Sequence, residues 1–202
     1  MFEKETSEAI ELLKRMISHP SFSREEKKCA DLIEHYIEEE GYTPSRIGNN
    51  VWILGSNYDS SKPTLLLNSH IDTVKPVDGW NFDPFLPVEN EGKLYGLGSN
   101  DAGASVVSLL QVFFLLSKEK QTYNLIFAAS AEEEISGNNG MESLLKELPK
   151  IDFAIVGEPT NMQLAVAEKG LMVLDCTAHG KAGHAARNEG ENAIYKALAD
   201  IE

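Results

Sequence analysis

The sequence predicts an α/β protein: a mostly parallel, twisted sheet with flanking helices, followed by the start of a smaller α+β domain. Three observations predict it. The stretch Thr64-Leu65-Leu66-Leu67-Asn68-Ser69-His70-Ile71-Asp72-Thr73 is an apolar run of strand length that ends in a histidine and an aspartate, as suits a strand buried on both faces of a parallel sheet. Two more buried-type strands, at 123–130 and 152–156, are separated from it by helical segments, and strands alternating with helices make βαβ units. All three strands end in ionisable residues, and open α/β sheets place their ligands just beyond the carboxyl ends of their strands.

The elements follow in order. Residues 3–18 carry Ala9, Leu12, Leu13, Met16 and Ile17 at helical spacing, and His19-Pro20 ends the pattern. Ser23-Arg24-Glu25-Glu26 reads as a capping box, with Ser23 as the cap and Glu26 at the third helical position. The helix after it places Ala30, Ile33, Tyr36 and Ile37 on one face and closes at Gly41, a left-handed C-terminal cap. Short strands are expected at 42–47 and 51–54, then the central strand at 64–69. Residues 75–93 are rich in Pro, Asp, Asn and Gly, with Trp80, Phe82 and Phe85 interspersed; they read as one long structured loop, of the kind that is often functional. A glycine-punctuated turn at 96–101 leads into an apolar helix at 102–117. A further helix is expected at 139–147. Beyond Glu158 the character changes, with strand-like stretches over 163–178 and a helix at 190–201. The chain stops inside that helical pattern, so a fragment is expected.

Totals narrow the partners. The 202 residues suit one domain or slightly more, and 42% hydrophobic with 25% charged residues is an ordinary globular balance. Lys+Arg 18 against Asp+Glu 32 gives a net charge of −14, which argues against nucleic acid as a partner. No stretch approaches the roughly 18 apolar residues of a membrane span, and the N-terminus lacks the regions of a signal peptide. Cys29 and Cys176 lie far apart and suggest reduced thiols. A cytoplasmic protein is expected.

The ionisable strand ends form a constellation. His70 and Asp72 follow one strand, Glu133 and Glu134 another, Glu158 a third, and Asp101 lies on the turn before a helix. In a parallel sheet these ends share one edge, so the groups converge. Like charges packed together raise one another's pKa and cost energy when desolvated; one or two divalent cations remove the conflict. A histidine with carboxylates and no cysteine suits zinc, and also cobalt or manganese. A carboxylate beside a ligand histidine fixes its tautomer and raises its basicity.

Four segments, His70-Ile71-Asp72-Thr73, Gly96-Leu97-Gly98-Ser99-Asn100-Asp101, Ala131-Glu132-Glu133-Glu134 and Gly157-Glu158-Pro159-Thr160, resemble in order and spacing the zinc-dependent acetylornithine deacetylase / succinyl-diaminopimelate desuccinylase / carboxypeptidase G family. The similarity runs from about residue 5 to the last residue and looks closest to the acetylornithine-type deacetylases. The resemblance implies a zinc-peptidase-like catalytic domain over 1–166 and the beginning of a lid and dimerisation domain over 167–202. It implies one or two Zn2+, with Co2+ as a substitute, and hydrolysis of the amide of a small N-acyl amino acid such as N-acetylornithine. A dipeptidase or exopeptidase of the same family is the alternative, and a chain that binds metal or a partner without turnover is another.

By the same resemblance His70 binds the first metal, Asp72 orients it, and Asp101 bridges two metals. Glu133 is the general base that takes a proton from the attacking water and returns it to the leaving amine, Glu134 binds the second metal, and Glu158 the first. The segment Gly180-Lys181-Ala182-Gly183-His184 resembles the family's lid histidine, which implies a homodimer in which His184 stabilises the oxyanion in the partner's site. This sequence departs from the family at Leu97, where arginine is common, and at Gly103, where lysine is frequent. Full-size relatives also continue, and a late histidine completes their second metal.

Overall fold

The structure, a computed structural model, describes residues 2–167, 169, 170, 172, 174–187 and 189–201. It divides into two compact units, the first ending at Met162 and the second beginning at Gln163, where the sequence reading places the change after residue 166.

In the first unit, α1 (Glu3–Ile17) buries Leu12, Leu13, Met16 and Ile17, with Glu3 and Glu5 in its first turn and Lys14 and Arg15 in its last, the charge order that complements a helix dipole. Helix α2 spans Lys27–Glu39 and buries Cys29, Ala30, Leu32, Ile33, Tyr36 and Ile37. Its end matches the expectation at Gly41, which has φ +83°. The N–H of Gly41 donates to the carbonyl of Glu38 at 2.9 Å and that of Tyr42 to Ile37 at 3.2 Å, the paired bonds of a Schellman cap. Its start does not match. The helix begins at Lys27, Arg24 has φ +75°, and the Ser23 hydroxyl caps nothing; it donates to Asp72 Oδ2 at 2.8 Å. A tertiary acceptor outcompetes the local cap.

Strands β1 (Ser45–Ile47) and β2 (Asn50–Leu54) form a hairpin, and β3 (Thr64–His70) is the central strand. Next come β4 (Val88–Asn90) and β5 (Lys93–Tyr95), α3 (Ala104–Ser117), β6 (Asn124–Ser130), α4 (Met141–Leu144) and β7 (Phe153–Val156). The main sheet has the order β1-β2-β6-β3-β7. Strands β6, β3 and β7 are mutually parallel, and β2 is antiparallel to both β6 and β1, so only β2 runs against the other four. The mostly parallel sheet is as expected.

Helices α1, α2 and α3 cover one face of the sheet, around Leu12, Ile33, Ile53, Leu67, Phe113 and Phe127. The other face is a smaller cluster of Trp52, Leu66, Ile126, Ala128, Leu144 and Leu148. The 19-residue segment Ser99–Ser117 is long and apolar enough to cross a membrane, contrary to the sequence reading. Its helix nonetheless buries Val106, Val107, Leu110, Phe113 and Phe114 in the core of this unit.

The loop at 75–93 contains more order than expected. Glu91 and Gly92 have φ of +50° and +73°, which makes a two-residue turn of the type that suits a β-hairpin and pairs β4 with β5. Glutamate at the first turn position hides that hairpin from a composition reading. Phe85 packs edge-on against Phe22, with ring centroids 5.9 Å apart. The helix expected at 139–147 shrinks to the single turn of α4.

In the second unit, residues 185–187 form one 3-10 turn and α5 spans Ala193–Ile201. Among the described residues of 163–178 no strand forms, and residues 168, 171 and 173 of that expected stretch lie outside the described residues.

Candidate metal centre

Strands β3 and β6 are in parallel register from Thr64↔Asn124 to His70↔Ser130, and β3 pairs with β7 from Leu65↔Phe153 to Asn68↔Val156. The three strands therefore end on one edge. His70 is the last residue of β3, Glu133 and Glu134 lie three and four residues past β6, and Glu158 two past β7. Asp101 joins them from the turn Ser99–Gly103, where its non-helical backbone (φ −112°, ψ 100°) interrupts the approach to α3. The Asp101–Ala102 peptide is cis. Gly103 is packed so closely that a Cβ there would lie 2.6 Å from the carbonyl oxygen of Gly98 and 2.7 Å from Leu13 Cδ1. A small residue at 103 is a condition of this turn, which gives the departure noted at that position a local reason.

His70 is 2% exposed. Its Nδ1 lies 2.9 Å from the backbone carbonyl of Asp72. A carbonyl can only accept, so Nδ1 carries a proton and donates it. In the neutral ring Nε2 then holds the lone pair, and it faces Asp101 Oδ1 at 3.0 Å, Glu133 Oε2 at 3.8 Å and Glu158 Oε2 at 3.8 Å. One ligand atom each from His70, Asp101 and Glu134 lie within 4.8 Å of one another, a spacing that could hold a metal ion. The first unit thus brings together six of the seven residues singled out from the sequence: His70, Asp72, Asp101, Glu133, Glu134 and Glu158. His184 belongs to the second unit, where its Nδ1 accepts the backbone N–H of Ala186 at 3.2 Å.

Asp72 is fully buried. Its Oδ1 accepts the N–H of Glu133 at 3.0 Å, and its Oδ2 accepts the N–H of Glu134 at 3.1 Å and the hydroxyl of Ser23. Burial works to raise its carboxyl, but the interaction with His70, the Ser23 hydroxyl and the two backbone N–H groups outweigh it and hold the carboxyl below the ordinary range. For His70 burial works downward, while the Asp72 contact and the charges of Asp72, Glu158 and Glu133 push the imidazole up to about 9. Burial first, then the charges of neighbouring carboxylates, raise Glu134 and Glu158, with His70 opposing. The cluster therefore holds a proton on His70 more tightly than a free imidazole does, and on Glu134 and Glu158 more tightly than free carboxyl groups do. The donor set of one imidazole nitrogen and several carboxylates, with no thiolate, fits zinc, cobalt or manganese.

Glu132 has a different surrounding. It is 6% exposed, and its carboxylate accepts the side-chain N–H of Asn139 at 3.0 Å. Several supporting residues were not singled out as functional in the sequence. Asn50 Oδ1 accepts the N–H of Ala131 at 2.9 Å while its Nδ2 donates to the Asn139 carbonyl at 2.6 Å, which pins the loop after β6. Ser23 and Glu26 were visible, but as a helix cap. A cavity of about 570 Å³ adjoins the cluster, lined by His70, Glu133 and Glu158 at one end and by Leu66, Met141 and Leu145 further along.

Comparison with known proteins gives the following. The sequence profile described as Peptidase family M20/M25/M40 matches residues 66–201. The chain is 29% identical over 206 aligned residues to a succinyl-diaminopimelate desuccinylase from Wolbachia pipientis wMel, covering 94% of this chain and 52% of that protein. It spans about half the length of that relative. Among solved structures it resembles a tripeptidase from Staphylococcus aureus subsp. aureus mu50, with TM-score 0.62, 19% identity and coverage of 96% and 55%. It also resembles a Bacillus subtilis protein described as a dinuclear metal binding peptidase from the M20 family, with TM-score 0.59, 18% identity and coverage of 77% and 43%. At these identities the structures speak to the fold alone.

Proposed function

The chain belongs to Peptidase family M20/M25/M40, a family of metallohydrolases, and from that premise we propose that its first unit is the metal-binding part of an amidohydrolase that cleaves N-acyl amino acids. The observation that carries the reading is His70 Nε2 facing Asp101 at 3.0 Å with Glu133 and Glu158 each at 3.8 Å. In this reading His70, Asp101 and Glu158 hold one cation, and Asp101 and Glu134 offer ligands to a second. Bound there, a divalent cation supplies a Lewis acid and makes a water acidic enough to be deprotonated near neutral pH.

The chain's own residues do the rest. Glu133 takes the proton of the attacking water and returns it to the leaving amine, the ordinary double duty of a general base. Asp72 keeps the imidazole oriented with Nε2 turned to the carboxylates. Its backbone carbonyl accepts the Nδ1 proton in a hydrogen bond, while its carboxylate, 3.4 Å from Nδ1, holds the backbone of Glu133 and Glu134, so base and ligand keep a fixed spacing from His70. We assign His184 to the developing oxyanion, in a homodimer built through the second unit; one well-placed donor there is worth roughly 3–4 kcal/mol.

The Wolbachia relative's name supports an N-acyl amino acid as substrate, with a succinyl group, whereas the sequence motifs favoured an acetyl group on ornithine. The family's description as peptidases favours a second reading, an exopeptidase acting on short peptides by the same chemistry. The test is to incubate the chain, loaded with zinc or cobalt, with N-acetylornithine, N-succinyl-diaminopimelate and a dipeptide, and to measure released acid and amine. Release of acetate or succinate supports the deacylase. Turnover of the dipeptide alone supports the exopeptidase, and no turnover of any of the three sinks both.

A further inference from the structure

Three consecutive backbone N–H groups, those of Glu132, Glu133 and Glu134, all donate to buried carboxyl groups. Asp72 takes the second and third. The first donates at 3.2 Å to Oε1 of Glu26, a residue 106 positions away that is fully buried. Burying a carboxyl group is expensive unless its oxygens are satisfied, and those of Glu26 are: Oε1 also accepts the N–H of Arg24 at 2.7 Å, and Oε2 accepts the side-chain N–H of Asn49 at 2.7 Å. None of these bonds caps α2, which begins at Lys27 with no side-chain cap; the Arg24 bond is local to the loop before it. The other two reach the hairpin turn between β1 and β2 and the loop after β6.

What Glu26 holds in that loop is unusual backbone. Glu132 has φ +54°, a left-handed conformation that a non-glycine residue keeps only where its surroundings over-determine it. The conformation at 132 sets the direction in which the chain enters Glu133 and Glu134. Ser23, three residues before Glu26, donates to Asp72 Oδ2, so one short loop between α1 and α2 supports both carboxyl groups that grip 132–134.

We propose that Glu26 is a positioning residue for the metal centre: it locks the left-handed turn at Glu132 and thereby aims the carboxylates of Glu133 and Glu134 toward His70 and Asp101. This rests on the metal reading of the site for its function, while its structural content stands without a metal.

Amide hydrogen exchange on the metal-free chain tests that content. In Glu26→Gln the new amide N–H₂ opposes the N–H₂ of Asn49 and pushes the side chain from its seat. A neutral amide oxygen also replaces the charged one that accepts the N–H of Glu132, a weaker hydrogen bond, so the grip on Glu132 loosens. Exchange at Glu132, Glu133 and Glu134 should speed up about tenfold or more, with Ile126 and Phe127 of β6 unchanged, because local opening is separable from global unfolding. The double variant Glu26→Gln/Asn49→Asp restores a donor–acceptor pair and should return the rates to near wild type. Should Glu26→Gln fail to fold, Glu26→Asp keeps the charge, withdraws the carboxyl group by one methylene and should give the same local pattern. Faster exchange confined to residues 24–30, or equal acceleration everywhere, would mean a helix cap or a merely structural role and would overturn the proposal. The visible absorption of the Co2+-loaded chain provides a second readout. A spectrum that shifts in Glu26→Gln and recovers in the double variant ties the turn to the metal centre. An identical spectrum in Glu26→Gln with faster exchange at 132–134 would overturn the aiming role. Absence of any cobalt spectrum in wild type, with the exchange pattern as expected, defeats the metal reading while leaving the grip of Glu26 on the loop intact.

Discussion

The carboxylate of Asp72 accepts the backbone N–H of Glu133 at 3.0 Å, although the two residues are 61 positions apart and follow different strands. Through that bond the residue that steadies His70 also fixes the start of the acidic pair, so disturbing Asp72 moves the imidazole and the carboxylates together.

Asp72→Asn should therefore weaken metal binding more than the loss of one remote charge would. Partners of ligand histidines typically account for about 10–100-fold in affinity, and the upper part of that range is expected here. Zinc affinity measured in competition with a chromophoric chelator checks it; an affinity within about twofold of wild type would sink the claim, since it would lie below the range for such partners.

Metal should stabilise the chain. At free zinc about 100 times its dissociation constant the gain is roughly 2.7 kcal/mol, enough to raise the thermal midpoint of the first unit by several degrees. The rise should vanish on adding a chelator and should be absent in a His70→Ala/Asp101→Ala variant. A midpoint that ignores zinc in the wild-type chain argues against a formed site.

Zinc binding near pH 7.5 should release protons. His70 is pushed up to about 9, with burial opposing and Asp72 and the glutamates prevailing, and a ligand histidine must be neutral. The metal-free chain thus gains stability from His70 that is complete below about pH 6.5, the ordinary histidine value, and is lost as pH rises through about 9. Titration calorimetry in buffers of different ionisation enthalpy measures the release; heats independent of the buffer contradict it.

Gly103→Ala should destabilise the first unit by about 1–3 kcal/mol, the usual cost of forcing a methyl group into a filled space. Here the obstacle is partly backbone, the Gly98 carbonyl at 2.6 Å, so the turn carrying Asp101 must shift. Chemical denaturation reads the stability, and metal content per chain reads the shift. Unchanged values for both would show that the turn has more room than its packing indicates.

The two thiols should differ sharply. Cys29 is buried and its thiol is pushed up to about 12, chiefly by that burial, whereas Cys176 is exposed. A thiol reagent at pH 8 should label one cysteine per folded chain and two after denaturation. Rapid labelling of both in the folded chain would place Cys29 outside the core.

Much of this molecule was legible in the sequence because its signals are local. Hydrophobic runs marked α1, β3, α3, β6 and β7, and Gly41 marked the end of α2. Ionisable residues at strand ends marked His70, Glu133, Glu134 and Glu158, since parallel strands deliver their ends to one edge whatever their order, and the glycine-punctuated turn before α3 marked Asp101. Tertiary structure alone decided what surrounds them. Whether Ser23 caps a helix or bonds Asp72, whether Glu26 serves only Arg24 or also Glu132, and whether a buried Asn50 ties down Ala131 are choices among competing hydrogen-bond partners. A residue's own sequence neighbours cannot settle that competition, because the winning partner lies 49, 106 or 81 positions away and comes within reach only once the sheet has formed.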